Sequence, residues 1–448
     1  MHRRAITTTT RSRVENRREL MFLSGILMFA LAARIATATL STSGVLSNDR
    51  NSWGFGYEMG QIAAAIAMGD GFSWPVWTDH AQQPTAWMPP IYPNLIAVVF
   101  RCFGIFSIPA AVCLLLLQTA FSLLTCYFLY VIAKRTFNAR AGLLAAFCFA
   151  AYPPAIHFAV QKIWSTSLFT CCLLGIVLAL MKLRNEMSMT GGARLGLLTG
   201  FTALVDPVII GGGPVAMAWL YANSKSDRVV TCKVVGTTVA LFVLSISPWL
   251  IRNYIVFGQY VFIKSNFGNE LFLGNNAYAS GSYKAPESQR ALTDGEIEFL
   301  KSTDEPSRNR LLLQNAFGFI SAHPLRFLNL TMSRFVHYWT FMMRPAGGVT
   351  NKLVLLVYFA MLLAGVAGLF LSGLKKPDVQ LVGLFVLTLP LPYYITVIGL
   401  FRYRFPVEAL LVVPAAYAAY RTLVAIGAAK SVKTERKSSD RPAVSASW

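Results

Sequence analysis

The chain has 448 residues, of which 55% are hydrophobic and 13% are charged, and its formal net charge is +20. Soluble domains carry about 25% charged residues, so this composition excludes an ordinary soluble protein and predicts a polytopic membrane protein. The positive charge does not indicate nucleic-acid binding. The basic residues stand beside apolar runs, where they set topology and contact anionic lipid headgroups.

The first apolar run, residues 20–40, follows a basic segment at 1–19. Signal peptides share this order, but the run is as long as the roughly 20 residues that a spanning helix needs. It also lacks a small-residue cleavage site leading into a soluble domain. The sequence therefore predicts a retained transmembrane helix with a cytoplasmic N-terminus.

The later apolar runs predict an all-α polytopic membrane protein with about ten membrane segments, some of them short or broken. The short connections between them alternate between basic and non-basic, as the positive-inside rule predicts. This pattern predicts a transmembrane domain over 20–424, two long outward-facing loops carrying interfacial helices, and a disordered cytoplasmic tail at 425–448. The predicted outer loops are 41–107 and 251–351, and the apolar runs are 20–40, 108–133, 141–158, 163–181, 193–206, 208–222, 232–250, 352–373, 379–400 and 405–424.

Two of these regions have unusual features. The segment 91–104 is apolar but too short to span, so it is expected to be interfacial or re-entrant. The runs 193–206 and 208–222 are separated by Asp206-Pro207, which predicts a bent hairpin whose irregular backbone is buried in protein or lines a cavity. In this interpretation Asp206 is structural.

Eleven of the 20 acidic residues fall in the two predicted outer loops, so a polar site is expected on the outer side. The seven cysteines include no CxxC pair and no Cys/His metal spacing, and they are expected to be small core residues. The sequence therefore predicts neither a disulfide framework nor a dedicated metal site. A single carboxylate can share a hard ion with a phosphate, so a divalent cation stays open as a cofactor.

The stretch GYEMGQIAAAIAMGDGF, 56–72, has the apolar spacing of an amphipathic helix, which Gly69 and Gly71 end. Since it follows the first span, the helix is expected to lie on the membrane surface with its apolar face down. Glu58 stands in its first turn, where the helix dipole favours a carboxylate. Glu58 therefore either only stabilises the N-terminus of the helix through the helix dipole or has a role in function.

The segment 74–93 contains three tryptophans, paired prolines and His80. Tryptophan favours the membrane–water interface, but aromatic rings beside polar groups also hold sugars, because the C–H face of a sugar stacks on a ring. Both interpretations stay open. The Asn/Gly-rich stretch 265–276 predicts a loop that approaches a ligand closely with its backbone and amides.

At the predicted outer end of the last span, RYRFPVE places Arg402 and Arg404 one turn before Glu408. Two arginines in an outer connection run against the positive-inside rule. Arginine forks suit phosphate oxygens, so a lipid phosphate is one explanation. The alternative is headgroup anchoring together with a local Arg–Glu408 pair.

In order and spacing these pieces resemble the GT-C superfamily of integral-membrane glycosyltransferases, which includes the protein O-mannosyltransferases and the aminoarabinose lipid A transferase. The resemblance runs from the first span to the last, although each motif is loose by itself. It rests on YEMGQIAAAIAMGDGF, PTAWMPPIYPNLIAVVFRCFG, LGLLTGFTALVDPVI, SPWLIRNYIVFG and RYRFPVEALL.

The resemblance implies inverting transfer of a hexose or pentose from a polyprenyl-phosphate-linked donor to an acceptor hydroxyl, with a carboxylate of the first outer loop as general base. It implies Glu58 as that base, with Asp49 second; many relatives carry an Asp where this chain has Phe55. Arg402 and Arg404 are the implied ligands of the donor phosphate. The expected contacts of the donor sugar or the acceptor are Tyr57, His80, Gln82, Gln83, Trp87, Asn269 and Glu270.

The expected partners are the lipid-linked donor, a glycan, lipid or protein acceptor, and membrane lipids. The expected location is a bacterial inner membrane with both termini in the cytoplasm. The competing hypothesis is a transporter or flippase of lipid-linked sugars, or an envelope protein without catalytic activity. A transporter should carry ionisable groups within its spans and show repeat symmetry, whereas the acids here concentrate in the predicted outer loops.

Overall fold

A computed structural model describes residues 2–40, 45–46, 54–76, 82–281, 285–340, 349–396 and 401–439. Over these ranges the chain is helical, and its only β pairing is an isolated bridge between Ser73 and Pro84. The all-α fold is confirmed. The helices are α1 (His2–Leu40), α2 (Glu58–Met68), α3 (Ile91–Phe103), α4 (Ile108–Thr136), α5 (Ala139–Ala151), α6 (Pro153–Val160), α7 (Thr166–Asn185), α8 (Met189–Val205), α9 (Ile209–Asn223), α10 (Arg228–Phe257), α11 (Phe267–Gly274), α12 (Ala285–Ser288), α13 (Asp294–Ser302), α14 (Glu305–Ala322), α15 (Pro324–Thr340), α16 (Val349–Ser372), α17 (Pro377–Thr388), α18 (Leu391–Ile395) and α19 (Phe405–Ser439), with 3₁₀ turns at Gln289–Ala291 and Phe401–Tyr403.

Within the described ranges, seven helices are long and apolar enough to cross a membrane, and the bent pair α5–α6 makes up to eight. The polytopic membrane architecture is therefore confirmed. The remaining predicted membrane segments are the shorter helices α8 and α9, with 17 and 15 residues. The segment predicted to be too short to span forms α3, with 13 residues.

The long helices run up and down, so their connections fall at two ends of the bundle. We call the end that carries α2, α3 and α11–α15 the loop face. The opposite end carries the basic connections, where Arg184 pairs with Asp378 at 2.8 Å and Lys134 pairs with Glu19 at 2.7 Å. This division matches the alternation in the sequence. The orientation of the two ends in a cell stays a prediction.

Helices α8 and α10 pack closely because small residues meet at their contact. Gly192, Gly196 and Gly200 recur every four residues, so they lie on one side of α8. A methyl group at Gly196 would lie 2.4 Å from the carbonyl oxygen of Thr238 on α10. The absence of side chains lets the two backbones approach, as in other membrane helix pairs.

Helix α2 is present with the predicted end. Gly69 adopts the left-handed conformation, with φ 101°, and closes the helix by donating to the Ala65 carbonyl oxygen at 3.1 Å. The surroundings of α2 differ from the expectation. Residues 59–65 are all buried, and α2 packs on α3, so its apolar side is covered by protein rather than presented to the membrane.

The break between α8 and α9 lies where Asp206-Pro207 predicted it. The side chain of Asp206 accepts a hydrogen bond from the Val208 backbone N–H at 3.2 Å, which stabilises the turn into α9. At the other end of the chain, α19 continues to Ser439. The first part of the tail predicted to be disordered is therefore helical, since its Ala, Lys, Arg and Glu residues favour helix.

Candidate active site

A large cavity of about 1020 Å³ opens on the loop face. Its walls come from the start of α2, the tryptophans at 74 and 87, α11, α13 and α14. Four of the predicted site residues line it, namely Tyr57, Glu58, Trp87 and Asn269. The fold therefore brings together groups from both predicted outer loops.

Glu58 is held on the cavity wall by the turn that precedes α2. Gly56 has φ 77° in this turn, and a methyl group there would lie 2.6 Å from the Ile163 carbonyl oxygen. The Ile163 N–H donates to the Gly54 carbonyl oxygen at 3.0 Å, which fixes the turn to the segment after α6. Across the described residues, the half-buried Glu58 carboxylate has no hydrogen bond or ion pair. It is thus available to a ligand.

Arg402 lies in the 3₁₀ turn before α19, with its guanidinium carbon 3.8 Å from the centroid of the Trp164 ring. Trp164 is positioned by Gln118, whose buried side-chain oxygen accepts from the Trp164 backbone N–H at 2.8 Å. Among the described residues, the buried Nε of Arg402 has no hydrogen-bond partner, while one terminal nitrogen donates to the Tyr403 hydroxyl at 3.2 Å. An unsatisfied buried donor is costly, and an anionic ligand would satisfy it.

Arg402 and Asp206 line a second, small cavity of about 20 Å³. This volume holds a water molecule and is too small for a phosphate group. The positive charges of Lys264 and Arg402 act on the Asp206 carboxylate. Asp206 therefore has a place in the candidate site as well as the structural role expected of it.

The carboxyl of Glu270 on α11 lies close enough to residues of both cavities to be affected by their charges. Burial raises the pKa of its carboxyl, the positive charges of Lys264 and Arg402 oppose that shift, and the negative charge of Glu58 adds to it. The net effect raises the pKa of Glu270. Glu58 and Arg402 thus act on one carboxyl, although 344 positions separate them in the sequence.

Arg404 lies apart from both cavities. It is buried and pairs with Glu408, whose other oxygen accepts from the Tyr152 hydroxyl at 2.8 Å. Its guanidinium also lies 3.6 Å from the Tyr358 ring centroid and donates to the Tyr338 carbonyl oxygen at 3.1 Å. This is the local Arg–Glu408 pair that the sequence left as the alternative. A phosphate contact at Arg404 stays a prediction that this placement does not favour.

Gln82 and Gln83 lie on a hairpin rather than on the wall of the large cavity. The Gln82 N–H donates to the Trp74 carbonyl oxygen at 2.8 Å, and the Gln83 side chain accepts from Arg308 at 3.3 Å. A sugar contact at either residue stays a prediction that this placement does not favour. Asp49 and His80 lie outside the described residues.

Sequence reasoning missed Glu305, a buried carboxylate at the start of α14 that helps form the cavity wall. It accepts from the Thr85 hydroxyl at 2.7 Å, the Ala86 N–H at 2.8 Å and the Ser265 hydroxyl. It thereby fastens the Trp74–Trp87 segment to α14. Lys264 was missed as well; its only signal is a lone cation in the apolar stretch YVFIKSNFG.

No group of three or more His, Cys, Asp or Glu side chains with metal-site geometry occurs in the described ranges. A divalent cation shared between one carboxylate and a donor phosphate stays a prediction.

The sequence profile of the dolichyl-phosphate-mannose-protein mannosyltransferase family matches residues 88–251, less than half of the chain. A comparison with curated protein sequences finds no match. Among solved structures, the chain is similar to the oligosaccharyltransferase AglB from Archaeoglobus fulgidus in complex with an inhibitory peptide and a dolichol-phosphate. That match has a TM-score of 0.56 and 13% identity, and it covers 94% of this chain and 52% of AglB.

The apo form of the Archaeoglobus fulgidus oligosaccharyltransferase gives the same result, with a TM-score of 0.55 and 15% identity over 93% of this chain and 52% of that one. The chain thus has a fold similar to that of these oligosaccharyltransferases, and part of it matches a mannosyltransferase profile, as the resemblance to the GT-C superfamily led us to expect. The chain spans about half the length of the solved oligosaccharyltransferases that it matches.

The profile match extends from residue 88, just before α3, to residue 251, within α10. It includes Gln118, Trp164 and Asp206 and ends before Lys264, Glu270 and Arg402. It also begins after Glu58. The candidate active site therefore combines residues of the helix bundle that the family profile matches with groups that the profile does not reach.

Proposed function

We propose that the protein is a glycosyltransferase that moves a sugar from a polyprenyl-phosphate-linked donor to an acceptor hydroxyl on the loop face. The observation that carries the proposal is the placement of Glu58. This carboxylate is unpaired within the described chain and lines a cavity of about 1020 Å³, and its charge acts on the half-buried Glu270 carboxyl, as do the charges of Lys264 and Arg402. A base and a phosphate-binding cation are the two requirements of this transfer.

In the proposed reaction, Glu58 takes the proton of the acceptor hydroxyl as its oxygen attacks the anomeric carbon of the donor. The bond between that carbon and the phosphate oxygen breaks, and the phosphate leaves with the electron pair. Attack opposite the leaving group inverts the anomeric centre. General-base catalysis of this kind contributes about 10²–10⁴-fold.

Arg402 and Lys264 are the proposed ligands of the leaving phosphate, and Lys264 is preferred to Arg404, whose guanidinium pairs with Glu408. Positive groups fixed in advance stabilise the charge that develops on the phosphate. The small cavity beside Arg402 measures about 20 Å³, so the proposal requires donor binding to widen it. The Trp164 ring supports phosphate binding by Arg402, because stacking on the ring restricts the orientation of the guanidinium.

The test is sugar release from a radiolabelled polyprenyl-phosphate-hexose by the full chain in lipid nanodiscs. Glu58→Gln should lower turnover by about 10²–10⁴-fold while donor binding and the melting temperature are retained. Glu186→Gln, at an exposed carboxylate at the opposite end of the bundle, is the matched control. Asp49→Asn is included because Asp49 is the second predicted base.

Loss of turnover in Asp49→Asn with retention in Glu58→Gln would move the base to Asp49. No turnover by the wild type across hexose and pentose donors would contradict the proposal and favour the transporter or non-catalytic hypothesis.

A further inference from the structure

The large cavity is bigger than one sugar requires. Small-molecule sites occupy about 300–1,000 Å³, and this cavity measures about 1020 Å³. A monosaccharide at the reaction centre next to Glu58 would leave most of the volume empty. The cavity therefore has room for an extended acceptor.

The chemistry of the walls selects the class of that acceptor. Tyr57, Trp74 and Trp87 present three aromatic side chains along one cavity, and Tyr57 is 38% exposed. The Trp87 ring nitrogen donates no hydrogen bond to any described residue. A flat ring with a free N–H beside it suits a sugar, because the C–H face stacks on the ring while a hydroxyl accepts from the nitrogen.

Amide side chains accompany the aromatic rings. Gln61 and Asn269 line the cavity from α2 and α11, and Gln289 does so from the 3₁₀ turn before α13. An amide offers both donors and acceptors, which matches the alternating donors and acceptors of sugar hydroxyls. The aliphatic wall is supplied by α13, through Ile297 and Leu300.

The other acceptor classes fit these walls less well. A lipid chain in the cavity would bury the side-chain amides of Asn269 and Gln289 and the charged Lys301 against hydrocarbon, which is unfavourable. An extended peptide can be held by adding a strand to a sheet edge, and no described lining residue belongs to a strand. A peptide held in another way is one of the outcomes that the test distinguishes.

We infer that the acceptor is a glycan of two or more sugar residues, held by stacking on Trp87 and on the rings of Tyr57 and Trp74. This inference rests on the proposed function. Its nonreducing hydroxyl lies at Glu58 and its remaining sugars extend along the cavity. Trp87 is the specificity-determining side chain, because its ring nitrogen is available as well as its face.

Binding is tested separately from transfer, by saturation-transfer NMR on the protein in nanodiscs. The probes are mannose, mannotriose, maltotriose, chitotriose and arabinotriose, together with a serine/threonine peptide and farnesol. We expect at least one trisaccharide to bind, and Trp87→Ala to weaken it by about tenfold. Trp87→Phe should retain part of the affinity, and Tyr260→Ala, at an exposed aromatic residue outside the cavity, should retain all of it.

Transfer from the labelled donor to each probe gives the second readout. Donor turnover with transfer to the peptide or to farnesol, and to no glycan, would overturn the inference while the glycosyltransferase proposal stands. Trisaccharide binding that depends on Trp87, without donor turnover, would support the glycan site and contradict the proposed reaction. Absence of trisaccharide binding, or binding unaffected by Trp87→Ala, would overturn the inference.

Discussion

The guanidinium of Arg402 stacks on the ring of Trp164 at 3.8 Å, and its buried Nε has no hydrogen-bond partner in the part of the chain that the structure describes. The ring fixes the orientation of the cation and leaves part of its hydrogen-bonding capacity unused. This arrangement suits an arginine that receives an anion, since a planar fork held in place loses little freedom on binding.

Arg402→Ala should therefore lower kcat/KM for the donor by about 10²–10³-fold, the usual effect of removing one group that stabilises transition-state charge. Arg402→Lys should lie between wild type and Arg402→Ala, because the charge remains but the fork is lost. The measurement is steady-state turnover of the lipid-linked sugar in nanodiscs.

Arg421 provides the control, because it is an exposed arginine whose side chain donates to the Tyr417 hydroxyl at 3.0 Å. Arg421→Ala should leave the kinetics unchanged. Equal loss in Arg402→Ala and Arg421→Ala would indicate a general effect of charge and contradict the phosphate role.

Glu270 predicts a pH-dependent stability. Its pKa is raised from an ordinary value of 4.5, mainly by burial. The free energy of unfolding therefore falls as pH rises above 4.5, because the ionised carboxylate is less stable in the folded state. This loss of stability reaches its full size once pH exceeds the folded-state pKa. Glu270→Gln removes that loss, so its melting temperature should exceed that of wild type near pH 8 and converge with it in acid.

Glu296 is a control of opposite sign. A hydrogen bond from the Thr293 backbone N–H and another from Asn315 lower the pKa of its carboxyl. Its ionised form thus stabilises the fold at neutral pH, and this contribution is lost as pH falls through the lowered pKa. Glu296→Gln should reduce the melting temperature near pH 8. The same direction of change in both variants would contradict the assignment for Glu270.

Packing of α8 on α10 depends on Gly196. Gly196→Leu should destabilise the protein by at least the roughly 1–3 kcal/mol typical of overpacking, because even a methyl group there would lie 2.4 Å from a backbone oxygen. Gly236→Ala on α10 is the control, since no atom lies within 4 Å of an added methyl group there. Thermal unfolding in detergent should show a lower midpoint for the first variant and an unchanged or higher one for the second.

The Arg404–Glu408 pair predicts a structural rather than a catalytic effect. Glu408→Leu alone should cost about 3–5 kcal/mol, because it leaves a buried charge without its partner. The double variant Arg404→Met/Glu408→Leu should recover most of that stability. It should also turn over the donor at the wild-type rate per folded molecule. A folded double variant without turnover would return Arg404 to the active site.

The sequence by itself determined the membrane segments and their breaks. Apolar runs and basic connections predicted the helix bundle and its two ends, because burial in lipid and the charge of the flanking loops depend on local composition. Gly69 and Asp206-Pro207 predicted the ends of α2 and α8, because these residues act on their own backbone. The sequence also predicted four of the residues whose side chains line the large cavity, namely Tyr57, Glu58, Trp87 and Asn269.

Only the tertiary structure decided which charges pair with which. Arg402 and Arg404 look equivalent in RYR, but a turn of chain directs one onto Trp164 and the other onto Glu408. Glu305 stands among seven acids of one loop, and its role depends on Thr85, which is 220 positions away. Such contacts follow from how the helices pack, since local sequence does not encode which distant groups the bundle brings within hydrogen-bond distance.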